Sequence, residues 1–165
     1  MNREGSTVRE AVSVRPSLTD LEGLYRARRL TMVRLASVLT GSGAIAEEVV
    51  QEAFIQVGSH LDRVDDPSAY LRRVATNLCR SHLRRRQLEQ GLPAPVEGVT
   101  GDPQIDETWS AVCKLPFRQR AVLVLRFYDD MAEGDIARVL ECRVGTVKSS
   151  LHRGLAKLRQ ELRND

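Results

Sequence analysis

The segment ECRVGTVKSSLHRG, residues 141–154, carries side chains suited to a negatively charged polymer. Apolar residues recur in it and beyond it at steps of three and four, which predicts the inward face of a helix: Val144, Val147, Leu151, Leu155 and Leu158. The opposite face then carries small and basic side chains: Arg143, Thr146, Lys148, Ser149, Ser150, His152 and Arg153. Such cations and hydroxyls contact phosphates and base edges. The backbone N–H groups of Gly145 and Thr146 lie at the start of the helix, where they can hold a phosphate.

A shorter apolar segment precedes this helix at the spacing of a helix-turn-helix. Ile136, Ala137 and Leu140 predict a short helix, and residues 141–143 leave enough chain for one sharp turn. Ala137 is small enough for close crossing by the second helix, which Val147 would contact. In this motif the second helix enters the major groove of DNA. An ordinary solvated basic face remains the alternative interpretation.

A second basic segment lies in the middle of the chain. Residues 71–87 contain no carboxylate, and their arginines are Arg72, Arg73, Arg80, Arg84, Arg85 and Arg86. Guanidinium groups bind phosphates through paired hydrogen bonds. Because almost every cation in the chain is arginine, a GC-rich genome is an equally good explanation for the residue type. The clustering predicts a local basic patch.

The helix before this patch is acidic. Its inward face is predicted from the apolar residues Ala46, Val49, Val50, Ala53, Phe54 and Val57. Its outward face carries Glu47, Glu48, Gln51, Glu52 and Gln56. A face of this charge is unsuited to DNA, so it favours contact with a protein.

The fold class predicted from these patterns is all-α, with two small helical modules joined by a flexible linker. Residues 1–16 read as a disordered tail, 17–87 as the first module, 88–103 as the linker and 104–165 as the second module. The first module needs two more helices: one capped by Ser17 with Leu21, Leu24, Thr31, Leu35 and Val38 inward, and one from Asp66-Pro67 to about Arg86 with Leu71, Val74, Ala75 and Leu78 inward. The second module is predicted as helices at 104–113, 117–128, 133–140 and 144–163.

Several classes of function lack the residues they need. No paired carboxylate, nucleophile–base pair or phosphate loop can be assembled, so we expect no catalytic residue, cofactor or metal site. The three cysteines, Cys79, Cys113 and Cys142, are odd in number and far apart in sequence. We therefore expect them to be small core residues, not disulfides or zinc ligands. No stretch approaches the roughly 20 apolar residues that cross a bilayer. We expect a soluble, cytoplasmic protein with a formal net charge of +3.

Four stretches in order resemble the bacterial sigma factors, specifically the extracytoplasmic-function (ECF) group, over roughly residues 20–162. Residues 46–57 (AEEVVQEAFIQV) and 62–86 (DRVDDPSAYLRRVATNLCRSHLRRR) resemble sigma region 2. Residues 115–131 (LPFRQRAVLVLRFYDDM) and 134–159 (GDIARVLECRVGTVKSSLHRGLAKLR) resemble region 4. Helix-turn-helix segments alone also occur in response regulators, so the order and separation of the four carry the resemblance.

The resemblance implies a protein that brings core RNA polymerase to promoters without chemistry of its own. Region 2 would dock on the clamp helices of the largest polymerase subunit through Glu47, Glu48, Gln51 and Glu52. It would hold the melted −10 element through the loop from Arg63 to Asp66 and through Asn77, with phosphate attraction from Arg72, Arg73, Arg80, Arg84 and Arg85. Region 4 would read the −35 element through Arg143, Gly145, Thr146, Lys148, Ser149, His152 and Arg153. It would also meet the flap of the second-largest subunit, and an anti-sigma factor is expected.

The chain departs from the family pattern at five positions. Ile45 and Ser81 stand where aspartates are frequent, and Gly58 stands where an aromatic residue is common. Ala132 occupies a helix-cap position that is usually Ser or Thr, leaving Asp129 or Asp130 as substitutes. Glu141 stands at the turn where glycine is usual, at a cost if that residue adopts positive φ.

Two other functions are compatible with the residues. One is a transcription regulator that binds duplex DNA alone through residues 134–159. The other is an interaction module whose basic helices pack on an acidic protein. Core-polymerase binding and the salt dependence of DNA binding discriminate among the three.

Overall fold

The computed structural model describes residues 18–91 and 103–164, and within them it contains helices and no strand. The helices are α1 (Leu18–Thr40), α2 (Gly43–His60), α3 (Pro67–Gln90), α4 (Pro103–Cys113), α5 (Phe117–Phe127), α6 (Glu133–Val139) and α7 (Val144–Asn164). A short 3-10 turn, Leu61–Arg63, follows α2. The all-α prediction is confirmed. The predicted tail, the Ser17 cap and most of the linker lie outside the described residues.

Helices α1, α2 and α3 pack together as the first module, and α2 supplies its most regular face. All six residues predicted inward on α2 are buried, each at 7% exposure or less. Ser42 caps the helix by accepting a hydrogen bond from the Ile45 N–H. The acidic residues therefore lie outward because the apolar face is fixed by burial against α1 and α3.

The predicted inward face of α1 is confirmed in part. Leu35 is buried, and Leu21, Leu24 and Val38 are half-buried and pack against the core. The sequence prediction missed three further residues that are fully buried on this helix: Met32, Ala36 and Leu39. Helix α1 contacts α2, α3, α4 and α5, so its sides are covered by different neighbours and no single stripe marks the core.

Helix α3 begins as predicted and ends later. The Asp66 side chain accepts a hydrogen bond from the Ala69 N–H at 3.0 Å, and Pro67 occupies the first turn. The helix continues to Gln90, where Gly91 adopts the left-handed conformation with φ of +61° and ends it. The extra turn enters the predicted linker and is polar, so apolar periodicity gave no sign of it.

Helices α4 to α7 form the second module, and the α6–α7 pair has the predicted helix-turn-helix order. Val147 and Ala137 are buried where the two helices meet, as expected. The inward face of α7 is rotated from the predicted stripe: Val144 is 42% exposed, whereas Ser150 is buried. A Cβ on Gly154 would lie 3.2 Å from the Leu123 side chain, so α5 and α7 approach closely there.

The two modules pack against each other. Helix α1 contacts α4 and α5, and α3 contacts α6. The buried apolar residues of both modules form one continuous cluster. The second module therefore covers part of the first, and we call this the closed arrangement. The predicted flexible linker between the modules is compatible with it.

The turn between α6 and α7 contains a strained residue. Glu141 has φ of +52°, the conformation for which glycine is favoured over residues with a Cβ. The Cys142 N–H donates to the Ala137 carbonyl at 3.0 Å, which closes the turn. The expected cost of Glu141 at this position is confirmed in its geometry.

We predict that Glu141→Gly raises the free energy of unfolding by about 1 kcal/mol, because the backbone strain disappears. Urea denaturation of the full chain measures the change. Glu141→Ala is the control, since it removes the charge and keeps the Cβ. Equal stabilisation by alanine would attribute the effect to charge and contradict the strain argument.

Candidate nucleic-acid interface

The outward face of α7 presents a group of cations to solvent. Arg143, Lys148, His152 and Arg153 are exposed, as is Gly145 at the start of the helix. Lys148 lies 3.9 Å from a carboxylate oxygen of Glu133, an exposed and therefore weak pair. Three of these basic residues lie on the second helix of the helix-turn-helix, and Arg143 directly precedes it.

Three small residues of the same segment are less available than the sequence predicted. The Thr146 N–H donates to the Arg143 carbonyl at 2.9 Å, so it is not oriented toward a phosphate in this conformation. The Ser149 hydroxyl donates to the Thr146 carbonyl at 3.1 Å. Ser150 is 8% exposed and packs inward. The helix start is held by its own local hydrogen bonds.

A cavity of about 790 Å³ lies where the loop after α2 meets the start of α3. It brings together the predicted residues Arg63, Asp66, Arg72 and Arg73. Its other lining residues include His60, Asp65, Tyr70, Met131, Asp135 and Arg138. Asn77 is half-buried on α3 and does not line this cavity. We call this space the loop cavity.

Arg72 is engaged within the protein. Its guanidinium donates to the Asp129 carboxylate, which also accepts hydrogen bonds from Arg28 at 3.1 and 3.3 Å. The Asp129 side chain is only 5% exposed. Two cations compensate the buried carboxylate and make this a charged link between α1, α3 and the turn after α5. The prediction that Arg72 is available to DNA does not hold in this arrangement.

The same link corrects the predicted cap of α6. Ala132 is at the N-cap and provides no side-chain hydrogen bond, and Asp129 points to the two arginines instead. Asp130 adopts φ of +51° in the tight turn. The α6 helix therefore starts without the substitute cap that the sequence suggested.

The remaining arginines of α3 are divided between two environments. Arg73 lies over the Tyr70 ring at 5.2 Å, and Arg80 lies over the Phe117 ring at 5.5 Å. Arg84 and Arg85 are exposed. The predicted basic patch is thus a set of separate sites along one helix.

The acidic face of α2 lies in solvent with one apolar residue in it. Glu48, Gln51 and Glu52 are exposed, while Glu47 pairs with Arg29 at 2.7 Å. Ile55 is 64% exposed on this helix and was missed because it falls among polar residues. Ile55 follows Glu48, Gln51 and Glu52 at steps of seven, four and three residues, so it lies on the same face of α2 as these polar side chains.

Gly58, one of the departures from the family pattern, has a packing reason. A Cβ at this position would lie 3.0 Å from the Leu21 side chain. The first helix therefore occupies space that an aromatic residue would need. Within the described residues, no group of metal-ligating side chains is present, and no helix is long and apolar enough to span a membrane.

Two sequence families match the chain, one for each module. Residues 24–89 match Sigma-70 region 2, and residues 105–158 match Sigma-70, region 4. The ECF RNA polymerase sigma factor SigW of Bacillus subtilis is 30% identical over 171 aligned residues, covering 90% of each chain. The RNA polymerase sigma-E factor of Streptomyces coelicolor is 32% identical over 155 residues, covering 87% of this chain and 86% of its own.

The fold has a counterpart among solved structures. The sigma factor RpoE, in its complex with the anti-sigma factor NepR from Bartonella quintana, superposes with a TM-score of 0.77 at 20% identity. The match covers 89% of this chain and 99% of that one. At this identity the likeness concerns the fold.

The helix-turn-helix, the basic helix and these matches define a transcription initiation factor of the RNA polymerase sigma class. The chain belongs to the ECF group of the sigma-70 family, with α1–α3 in region 2 and α4–α7 in region 4. A sigma factor directs RNA polymerase in transcription initiation.

We predict that Asp129→Asn weakens the contact between the two regions, because an amide cannot neutralise Arg28 and Arg72. The free energy of unfolding should fall by about 2 kcal/mol, the magnitude of a charge-assisted hydrogen bond. Small-angle X-ray scattering should show a larger radius of gyration. Asp130→Asn is the matched control, since asparagine tolerates positive φ; equal expansion in both variants would contradict the role of Asp129.

Proposed function

We propose that this chain docks on core RNA polymerase through α2, reads an upstream promoter element with α7, and captures a melted downstream strand at the loop cavity. The exposed cationic face on the second helix of a helix-turn-helix is the observation that carries the proposal. Polymerase would be met in the cytoplasm.

The upstream −35 element would be read as duplex. Lys148 and Arg153 are exposed on α7 and Arg143 is exposed directly before it, and a recognition helix inserted in the major groove brings such groups to base edges and phosphates. His152 lies exposed between Lys148 and Arg153 in sequence and adds a further polar contact. Gly145, without a side chain, permits close approach of the backbone to a phosphate. The Thr146 hydroxyl and, once it leaves the Thr146 carbonyl, the Ser149 hydroxyl complete the proposed contact set.

The melted −10 element would be held by region 2. The loop cavity contains two ring side chains, His60 and Tyr70, beside Arg63 and Arg73. Aromatic rings and guanidinium planes stack on unpaired bases, and extruding a base costs only a few kcal/mol. Asp66 would contact the strand from the loop, Asn77 would do so from α3, and Arg80, Arg84 and Arg85 would attract its phosphates.

Promoter capture requires the closed arrangement to open. Asp129 holds Arg72, and Met131, Asp135 and Arg138 of region 4 line the loop cavity. A DNA strand entering that cavity would displace these residues. We infer that docking on polymerase separates region 4 from region 2 and frees Arg72 for the strand.

Two further partners follow from the family. The outward residues Glu47, Glu48, Gln51 and Glu52 of α2 would face the clamp helices of the largest polymerase subunit, and region 4 would meet the flap of the second-largest. The RpoE structure holds an anti-sigma factor, NepR. An anti-sigma factor that binds both regions of this chain is a corresponding proposal.

For the duplex contact, we predict that Lys148→Ala and Arg153→Ala each weaken promoter-fragment binding by the polymerase holoenzyme. Each should also lower the slope of log affinity against log salt by about one, because one phosphate contact is lost. Fluorescence anisotropy across a salt series measures both quantities. Arg159→Ala, at an exposed arginine further along α7, is the control, and an equal effect there would contradict the assignment.

For the polymerase contact, we predict that Ile55→Asp reduces binding to core polymerase at least tenfold, because a charge enters a desolvated protein surface. A pull-down with purified core polymerase measures this. Leu88→Asp is the matched control, since Leu88 is 83% exposed at the far end of α3.

The same pull-down separates the proposal from its alternative. A stand-alone helix-turn-helix regulator would bind the promoter duplex unaided and would not bind core polymerase. Retention of the unmodified chain by core polymerase supports the sigma function, and promoter binding without any retention contradicts it.

A further inference from the structure

A second cavity lies between regions 2 and 4, away from the loop cavity. Its volume is about 730 Å³, within the range of small-molecule sites. The end of α1, the second half of α3 and the turn from α4 into α5 enclose it, through Thr40, Gly41, Arg80, Leu83, Arg84, Arg86, Gln87, Cys113, Lys114, Leu115, Pro116, Phe117 and Arg120. We call it the interregion cavity.

The charge of this cavity is one-sided. Five of its lining residues are cations, namely Arg80, Arg84, Arg86, Lys114 and Arg120, and none is a carboxylate. Lys114 pairs with Glu161 at 3.1 Å, but both side chains are partly exposed and the pair is weak. The cavity therefore combines a high density of positive charge with partial removal from water.

Arg120 gives this cavity a buried cation without a described counter-ion. It is 8% exposed, and its Nη1 donates to the Cys113 carbonyl at 3.1 Å. Its Nε is buried without a hydrogen-bond partner, and no carboxylate of the described residues lies within ion-pair distance. Burial lowers the pKa of the Arg120 guanidinium. A buried charge is costly unless it is paired, so an anion at this site would compensate it.

Apolar side chains also line the interregion cavity. They are Leu83 of α3 and, in the turn from α4 into α5, Leu115, Pro116 and Phe117. Arg80 lies over the Phe117 ring, which keeps the ring and a cation at the same edge of the cavity. Apolar side chains beside a group of cations match a ligand that carries both a flat ring and phosphates.

We propose that the interregion cavity binds a free nucleotide with two or more phosphates. The phosphates lie toward Arg84, Arg86 and Arg120, and the base lies against the wall formed by Leu115 and Phe117. The ligand touches both regions at once. It binds the closed arrangement and not the separated one, and it therefore stabilises the closed arrangement.

This has a regulatory consequence that rests on the proposed function. Docking on polymerase requires the two regions to separate, so a nucleotide that holds them together opposes docking. Nucleotide binding itself needs only the closed chain and is measured without polymerase or DNA. Failure of the nucleotide proposal is therefore distinguishable from failure of the proposed function.

A strand of DNA offers the same combination of base and phosphate. The interregion cavity has residues of region 2 on one side and residues of region 4 on the other, whereas a strand must continue beyond the site in both directions. A free nucleotide needs no such exits. The test therefore compares a nucleotide with a short oligonucleotide.

The test is isothermal titration of the full chain with GTP and with ATP at constant ionic strength. We expect binding of at least one of them, weakened at least tenfold in the double variant Arg84→Gln, Arg86→Gln. These positions are chosen over the buried Arg120, whose replacement could prevent folding. Arg85→Gln is the matched control, because Arg85 is exposed on the same helix and does not line the cavity.

Four outcomes overturn the proposal. They are absence of binding by both nucleotides, equal weakening in Arg85→Gln, tripolyphosphate binding as tightly as the nucleotide that binds, and displacement of that nucleotide by an equimolar short single-stranded oligonucleotide. The third would show that the base contributes nothing to binding, and the fourth would show that the cavity binds a DNA strand. Circular dichroism with thermal unfolding establishes that each variant is folded before it is titrated.

Discussion

The carboxylate of Asp129 lies between the guanidinium groups of Arg28 and Arg72, and the arrangement of the two regions depends on this contact. At 5% exposure the carboxylate has little water to stabilise it, so it needs both cations. Asp129 follows α5 directly, and the pair of arginines belongs to α1 and α3. The turn after α5 is therefore held on region 2, and α6 is brought to one side of the loop cavity.

This contact changes what the arginine-rich helix can do. A helix with six arginines suggests a uniform surface for phosphates, but the six arginines do not share one environment. Arg72 neutralises Asp129, Arg80 lies on Phe117, and Arg84 and Arg85 face solvent. The closed arrangement keeps part of the positive charge inside the protein. Because charge pairs between the regions compete with charge pairs to DNA, opening of the protein and promoter binding are coupled in the proposed function.

Local sequence predicted some elements well and others poorly, for a common reason. Helix α2 is covered on one side, so its buried face follows directly from apolar spacing. Helix α1 contacts four helices, and its predicted face contained only one of its four fully buried apolar residues, Leu35. The extra length of α3 could not be predicted, because its last turn has no apolar periodicity. The exposure of Ile55 could not be predicted either, because an apolar residue by itself suggests burial. The strain at Glu141, by contrast, was predictable, because the turn of a helix-turn-helix has a defined backbone conformation.

The sequence by itself determined the helices, the helix-turn-helix and the acidic and basic faces, because each follows from residues close together along the chain. It also indicated the sigma family, through the order and separation of four such stretches. The tertiary structure alone decided which charges remain available. Arg72 and Arg28 are 57 and 101 residues from Asp129, and no local pattern pairs them. The burial of Ser150 and Arg120 and the walls of both cavities were likewise decided by packing between distant helices, since burial depends on which neighbour covers a side chain.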